Sequence, residues 1–186
     1  KYYGNNPAVL RGDFDAMPGE IHALVGENGA GKSTMCKLIA GVSQPDEGHL
    51  ELDGEPTVLR SPAAGLKAGI SMVYQETSLV PAMTVAQNLV MGDERLLNRM
   101  RKINLVAQRV LHSHNFHINP GLMVASLSAA QRQLVEIARA VHRDAKVIIF
   151  DEPTSSLTPE EKQQLFMTIA ELKRRGLASV YVSHAL

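Results

Sequence analysis

The stretch Gly26-Glu27-Asn28-Gly29-Ala30-Gly31-Lys32-Ser33-Thr34 limits what this chain can fold into more than any other. It fits G-x-x-x-x-G-K-[ST], the pattern of the phosphate-cradling P-loop. The apolar run before it, Ile21 to Val25 broken only by His22, predicts an entering strand. Lys32 to Ala40 predicts the helix that leaves. Glycines let backbone N–H groups turn inward around phosphate oxygens, and the helix N-terminus adds partial positive charge. In such a loop Lys32 reaches the β- and γ-phosphates, and the Ser33 hydroxyl ligates Mg²⁺. A glycine-rich turn that binds nothing rarely carries Gly-Lys-Ser at the helix start. The implied ligand is therefore a nucleoside triphosphate with its Mg²⁺.

Composition narrows the setting. At 186 residues the chain suits one domain with a sizeable core. Lys+Arg and Asp+Glu both number 19, so the charge balance calls for neither nucleic acid nor an anionic membrane surface. The single Cys36 excludes an internal disulfide and fits a reducing compartment. On the apolar face of the P-loop helix it reads as a small buried thiol. No run approaches the roughly 18 apolar residues of a membrane span, and no signal peptide is visible. A chain that starts at Lys1 and stops at Leu186, just past an apolar strand, reads as a fragment.

Along the chain, Tyr2-Tyr3-Gly4 leads into a polar loop, Val9 to Ala16 reads as a short strand, and Met17-Pro18-Gly19-Glu20 as a turn. After the P-loop helix, Gly41 to Gly48 reads as a loop and His49 to Leu52 as an edge strand ending at the Asp53-Gly54 turn. Ser61 to Lys67 predicts a short helix, and Ile70 to Tyr74 a strand that delivers Gln75 at its carboxyl end. From Met83 to Arg143 the pattern is mainly helical. Thr84 caps one helix, Ile103 to His112 forms a second, and Ser128 caps a third with Leu134, Ile137, Ala138 and Val141 on one face. Thr158-Pro159-Glu160-Glu161 opens a helix with Leu165, Phe166, Ile169 and Leu172 on one face, ending at Lys173-Arg174-Arg175-Gly176. Ser179 to Ser183 is the last strand and points at His184.

A second half-site lies in Val147-Ile148-Ile149-Phe150-Asp151-Glu152, an apolar run followed by two acids. Charges at the carboxyl end of a buried parallel strand stand where such sheets place ligands. Asp151 is expected to hold Mg²⁺ and Glu152 to polarise the attacking water. Gln75 and His184 also end apolar strands. A lone Gln or His there is usually a surface residue, but strands of one sheet bring both to the same edge as the P-loop.

The order of these motifs resembles the ATP-binding cassette (ABC) ATPases over essentially the whole chain. The P-loop is followed by Gln75, then Leu127-Ser128-Ala129-Ala130-Gln131, then Phe150-Asp151-Glu152-Pro153-Thr154-Ser155-Ser156-Leu157, then His184. The resemblance implies an α/β fold, a mainly parallel P-loop NTPase sheet flanked by helices and truncated at both ends. It would be a single domain over 1–186, with an ATP-binding core at about 1–79 and 144–186 and a helical signature subdomain at about 80–143. It implies ATP held by Gly26, Glu27, Asn28, Gly29, Ala30, Gly31, Lys32, Ser33 and Thr34, with Tyr3 (or Tyr2) stacked on adenine. Ser33, Gln75 and Asp151 would ligate Mg²⁺, and Glu152, Lys32, Gln75 and His184 would act in catalysis. Ser155-Ser156-Leu157 resembles the loop that crosses the dimer interface. Ser128 would act in trans on a partner's nucleotide, and Ala129-Ala130 departs from the family's usual two glycines.

Leu127 to Ala140, with Val73 to Pro81 and Thr84 to Leu89, resembles the first cassette of bacterial ribose/galactoside/xylose-type importers. That resemblance implies a second nucleotide-binding domain downstream, transmembrane permease subunits and, indirectly, a solute-binding protein, with no nucleic acid. It places the chain at the cytoplasmic face of the bacterial inner membrane, driving uptake of a sugar or similar solute. A soluble ABC-type ATPase of translation, or a nucleotide sensor without hydrolysis, is the alternative. The long coiled coil of repair enzymes has no room between Thr34 and Leu127. The cluster His112, His114 and His117 fits no ligand spacing. Arg95 to Lys102 reads as an exposed helical face, and Met83, Met91 and Met100 as core or interface filler.

Overall fold

A computed structural model describes residues 1–74, 78–92, 100–155 and 157–183. The chain opens with a hairpin, β1 (Tyr2–Tyr3) against β2 (Asn6–Pro7). Its base is closed by the N-terminal ammonium donating to Val9 O at 2.6 Å and by Ala8 N–H donating to Lys1 O at 2.9 Å. The strand expected over Val9 to Ala16 is absent: those residues are irregular. Leu10 is 77% exposed, so it does not supply the half-buried face by which a strand packs.

The chain then forms two compact units, one of Lys1–Met72, Ala145–Pro153 and Ile169–Leu186, the other of Val73–Asp144 and Thr154–Thr168. In the first, β3 (Ile21–Val25) enters the P-loop and α1 (Lys32–Ile39) leaves it. A separate hairpin follows, β4 (Leu50–Leu52) against β5 (Glu55–Thr57), turned at Asp53 and Gly54 with φ of 55° and 80°. Two positive φ angles are what a two-residue hairpin turn needs. Next come α2 (Pro62–Lys67), capped by Ser61, and β6 (Ile70–Val73).

The second unit is helical: α3 (Val85–Val90), α4 (Met100–Ser113) and α5 (Ala129–His142). Thr84 and Ser128 each close a capping box, with Gln87 and Gln131 respectively. Every residue of α5 from Gln133 to Ala138 is buried, a width of burial that marks a helix packed on all sides. The three histidines lie at or beyond the end of α4, and no metal-holding cluster exists among the described residues. Met83 and Met100 are 37% and 50% exposed rather than core.

The chain returns through β7 (Val147–Asp151), α6 (Pro159–Arg174) and β8 (Ala178–Ser183). The main sheet has the order β3-β8-β7-β6, and β8 pairs in parallel with both β3 and β7. Ile148, Ile149 and Phe150 are fully buried, as an uninterrupted apolar strand requires. The core of this unit gathers Cys36, Ile70, Ile149, Val180 and Val182. Each large side chain so buried contributes roughly 1.5–3 kcal/mol. On α6, Leu165, Ile169 and Leu172 are buried, but Phe166 is 49% exposed. One residue along a helix is a turn of about 100°, which takes Phe166 off the stripe that the other three define.

Candidate functional site

The P-loop is built by β3 stopping at Val25 and α1 starting at Lys32. Gly31 caps α1 in the left-handed conformation, φ 89°, and no side chain caps the helix. An uncapped helix start offers its first-turn N–H groups to an anion. A Cβ on Gly31 would lie 2.5 Å from Ala8 O and 3.1 Å from Val9 Cγ2, so the backbone after the first hairpin packs directly on the loop. Gly29 is also left-handed, φ 86°, but faces open space. Lys32 is 9% exposed, and its Nζ donates to Gly26 O at 2.6 Å and Glu27 O at 2.9 Å. Its ammonium therefore lies against the loop's own carbonyls. Glu27, Asn28, Ala30 and Ser33 are exposed, and Thr34 is half-buried.

Asp151 ends β7, with Glu152 directly after it. Burial, then the charge of Glu152, pushes the Asp151 carboxyl above its ordinary value, while Lys37 and Lys32 pull the other way. Glu152 has φ 50°, a left-handed conformation that a non-glycine residue holds only under constraint from its surroundings. Burial and the nearby Asp151 push the Cys36 thiol up to about 12, which makes it inert. The Ser33 hydroxyl and these carboxylates are hard oxygen donors, and a cation beside Asp151 would relieve its repulsion with Glu152. Mg²⁺ takes few protein ligands when phosphates supply the rest, so the residues fit it.

Tyr3 is 49% exposed, its hydroxyl 3.3 Å from Ser43 Oγ and its ring 5.6 Å from Lys1 Nζ. Asp46 ties this hairpin to the loop after α1, accepting from Tyr2 N–H at 2.6 Å and Lys1 Nζ at 2.9 Å. In the other unit, Ser128 is exposed, accepts from Gln131 N–H and donates to Glu161 Oε1 at 3.3 Å. Ala130 is buried, lining a crevice with Leu134, Leu157 and Leu165, whereas Ala129 is half-buried. Of the two methyls in Ala129-Ala130, one is thus turned inward. Gln75, Ser156 and His184 lie outside the described residues.

Sequence reasoning missed Lys37, one turn after Ser33, whose charge acts on Asp151. It also missed Glu161 as the acceptor for Ser128. Helical spacing from Ser33 signals the first; nothing local signals the second.

The family model described as ABC transporter matches residues 11–155. The chain belongs to that family. It is 46% identical over its whole length to the ribose import ATP-binding protein RbsA 2 of Rubrobacter xylanophilus, covering 37% of that protein. It is 48% identical over 93% of its length to a putative ribose/galactose/methyl galactoside import ATP-binding protein of Agrobacterium fabrum, covering 35% of it. The chain thus spans just over a third of the length of these relatives. Among solved structures, a nucleotide-free ATP-binding cassette from an ABC transporter superposes with a TM-score of 0.89 at 26% identity, covering all of this chain and 79% of that one. Among the described residues, no helix of this ABC family member is long and apolar enough to cross a membrane.

Proposed function

We propose that this chain is the ATP-binding cassette of an importer's ATPase subunit, binding Mg-ATP and hydrolysing it to drive uptake of a sugar or similar small solute. The observation that carries the reading is that β3 runs into a P-loop whose helix α1 has no side-chain cap, while β7, held in the same parallel sheet through β8, ends at Asp151. The two relatives named above are import ATP-binding proteins, which supports the transport setting.

In this reading the first-turn N–H groups of α1 and the Lys32 ammonium bind and orient the phosphates. Lys32 exchanges its two loop carbonyls for phosphate oxygens, which accept more strongly because they are charged. Tyr3 offers its exposed ring to the base. Ser33, Asp151 and Gln75 would hold Mg²⁺, which would neutralise the developing charge on the phosphates. Glu152 takes the proton of the attacking water, and His184 contacts the terminal phosphate. Ser128 acts on the nucleotide of a second cassette further along the full chain, so the site is composite. Permease subunits and a solute-binding protein complete the assembly, with the cassette peripheral at the cytoplasmic face of the inner membrane.

The test is Glu152→Gln in the full-length protein. Loss of a general base lowers turnover by about 10²–10⁴-fold, while ATP binding is retained. Undiminished turnover overturns the assignment of Glu152.

A further inference from the structure

Glu136, in the centre of α5, is 2% exposed. Its Oε1 accepts the Ser78 N–H at 2.5 Å and the Ser78 hydroxyl at 2.8 Å. Its Oε2 is buried with no hydrogen-bond partner among the described residues. One turn along, Arg139 lies 3.4 Å from the same Oε1 and also donates to Ser78 Oγ. Ser78 is therefore gripped three ways: its N–H and O–H donate to Glu136, and its oxygen accepts from Arg139.

Burying a carboxylate with one idle oxygen is unfavourable, and a well-packed apolar residue at such a position is often neutral or stabilising. Among the described residues, and aside from Arg139 on its own helix, the partner of this carboxylate is one residue, Ser78. Its chemistry serves to hold that residue. A second buried polar side chain repeats the device two residues on. Asn88, fully buried on α3, accepts from Val80 N–H at 2.8 Å and donates to Val80 O at 3.1 Å and Thr84 O at 3.0 Å. The segment fixed in this way begins three residues after Gln75, and the helix that grips it begins at Ser128.

We propose that Glu136 and Arg139 are positioning residues for ATP hydrolysis. They clamp Ser78 and so tie the chain leaving Gln75 to the helix capped by Ser128, the two elements through which nucleotide is sensed in cis and in trans. The inference rests on the proposed function. Neither side chain touches the nucleotide; both act through the placement of the chain at Ser78.

The experiment compares wild type, Ser78→Ala, Glu136→Gln, Glu136→Ala and the double variant Ser78→Ala/Glu136→Ala in the full-length protein. ATP affinity by calorimetry, kcat, the Mg²⁺ concentration for half-maximal rate and amide exchange at Ser78 are measured together. Glu136→Ala is expected to lower kcat about tenfold and raise the Mg²⁺ requirement, because small misplacement of a reacting group costs rate steeply. ATP affinity stays within about twofold, since the P-loop is untouched. Ser78→Ala, at an exposed position that tolerates the change, follows in the same direction with a smaller effect. Glu136→Gln, which keeps an acceptor, restores part of the rate. The double variant is no slower than Glu136→Ala, because both changes remove one clamp. Faster exchange at Ser78 with kcat unchanged overturns the proposal. So does a fall in kcat matched by an equal loss of ATP affinity and of the unfolding transition, which is what a merely structural role produces. If the wild type fails to hydrolyse ATP, the proposed function and the coupling fall together, and exchange at Ser78 alone decides whether the clamp exists.

Discussion

Gly29 and Gly31 share the left-handed backbone, at φ of 86° and 89°, but differ in what surrounds them. Alanine at either position incurs the left-handed strain of about 1–2 kcal/mol. At Gly29 nothing lies within 4 Å of the added methyl, so strain is the whole effect. At Gly31 the methyl meets Ala8 O at 2.5 Å, a backbone atom that moves only if the chain after the first hairpin moves. Overpacking of that kind adds about 1–3 kcal/mol. For a domain of this size, about 2–4 °C of melting temperature corresponds to each kcal/mol. Gly29→Ala should therefore lower the transition of this cassette by about 2–8 °C, and Gly31→Ala by about 2–12 °C more, the difference being the contact term alone. Scanning calorimetry of the two variants beside wild type reads this directly. Equal shifts for both would refute the claim that Gly31 is required by close approach rather than by its dihedral alone.

Two further outcomes follow from the electrostatics of the same unit. The Asp151 carboxyl is raised by burial and by Glu152, so its protonated form is favoured in the folded state. Its stabilising contribution is full below the unfolded value of about 3.9 and is lost as pH rises through the raised folded value. Asp151→Asn should then melt higher than wild type near neutral pH without nucleotide, lose that advantage in acid, and gain less from Mg-ATP; a lower melting point at neutral pH contradicts this. Cys36, fully buried and with its thiol pushed up to about 12, should resist iodoacetamide in the native protein and react promptly in urea. Rapid native alkylation sinks that reading.

Much of this protein is legible in one dimension because the signals are local. The P-loop needs consecutive residues of fixed type, and the capping boxes at Thr84 and Ser128 span four residues each. The apolar run of β7 requires burial on both faces whatever surrounds it. These determined the parallel sheet, the order of helices and the placement of Lys32, Ser33, Asp151 and Glu152 at element ends.

Tertiary structure decided what depends on partners distant in the chain. Val9 to Ala16 reads as a short strand, yet none of the described residues pairs with it and it is irregular, while Tyr2 and Tyr3 pair with Asn6 and Pro7. The inward turn of Ala130, the donation of Ser128 to Glu161 and the grip of Glu136 on Ser78 join residues dozens of positions apart. Burial of a charged side chain is a property of everything packed around it. No periodicity in α5 separates Glu136 from a solvent-facing glutamate, because only packing on all sides of that helix removes it from water.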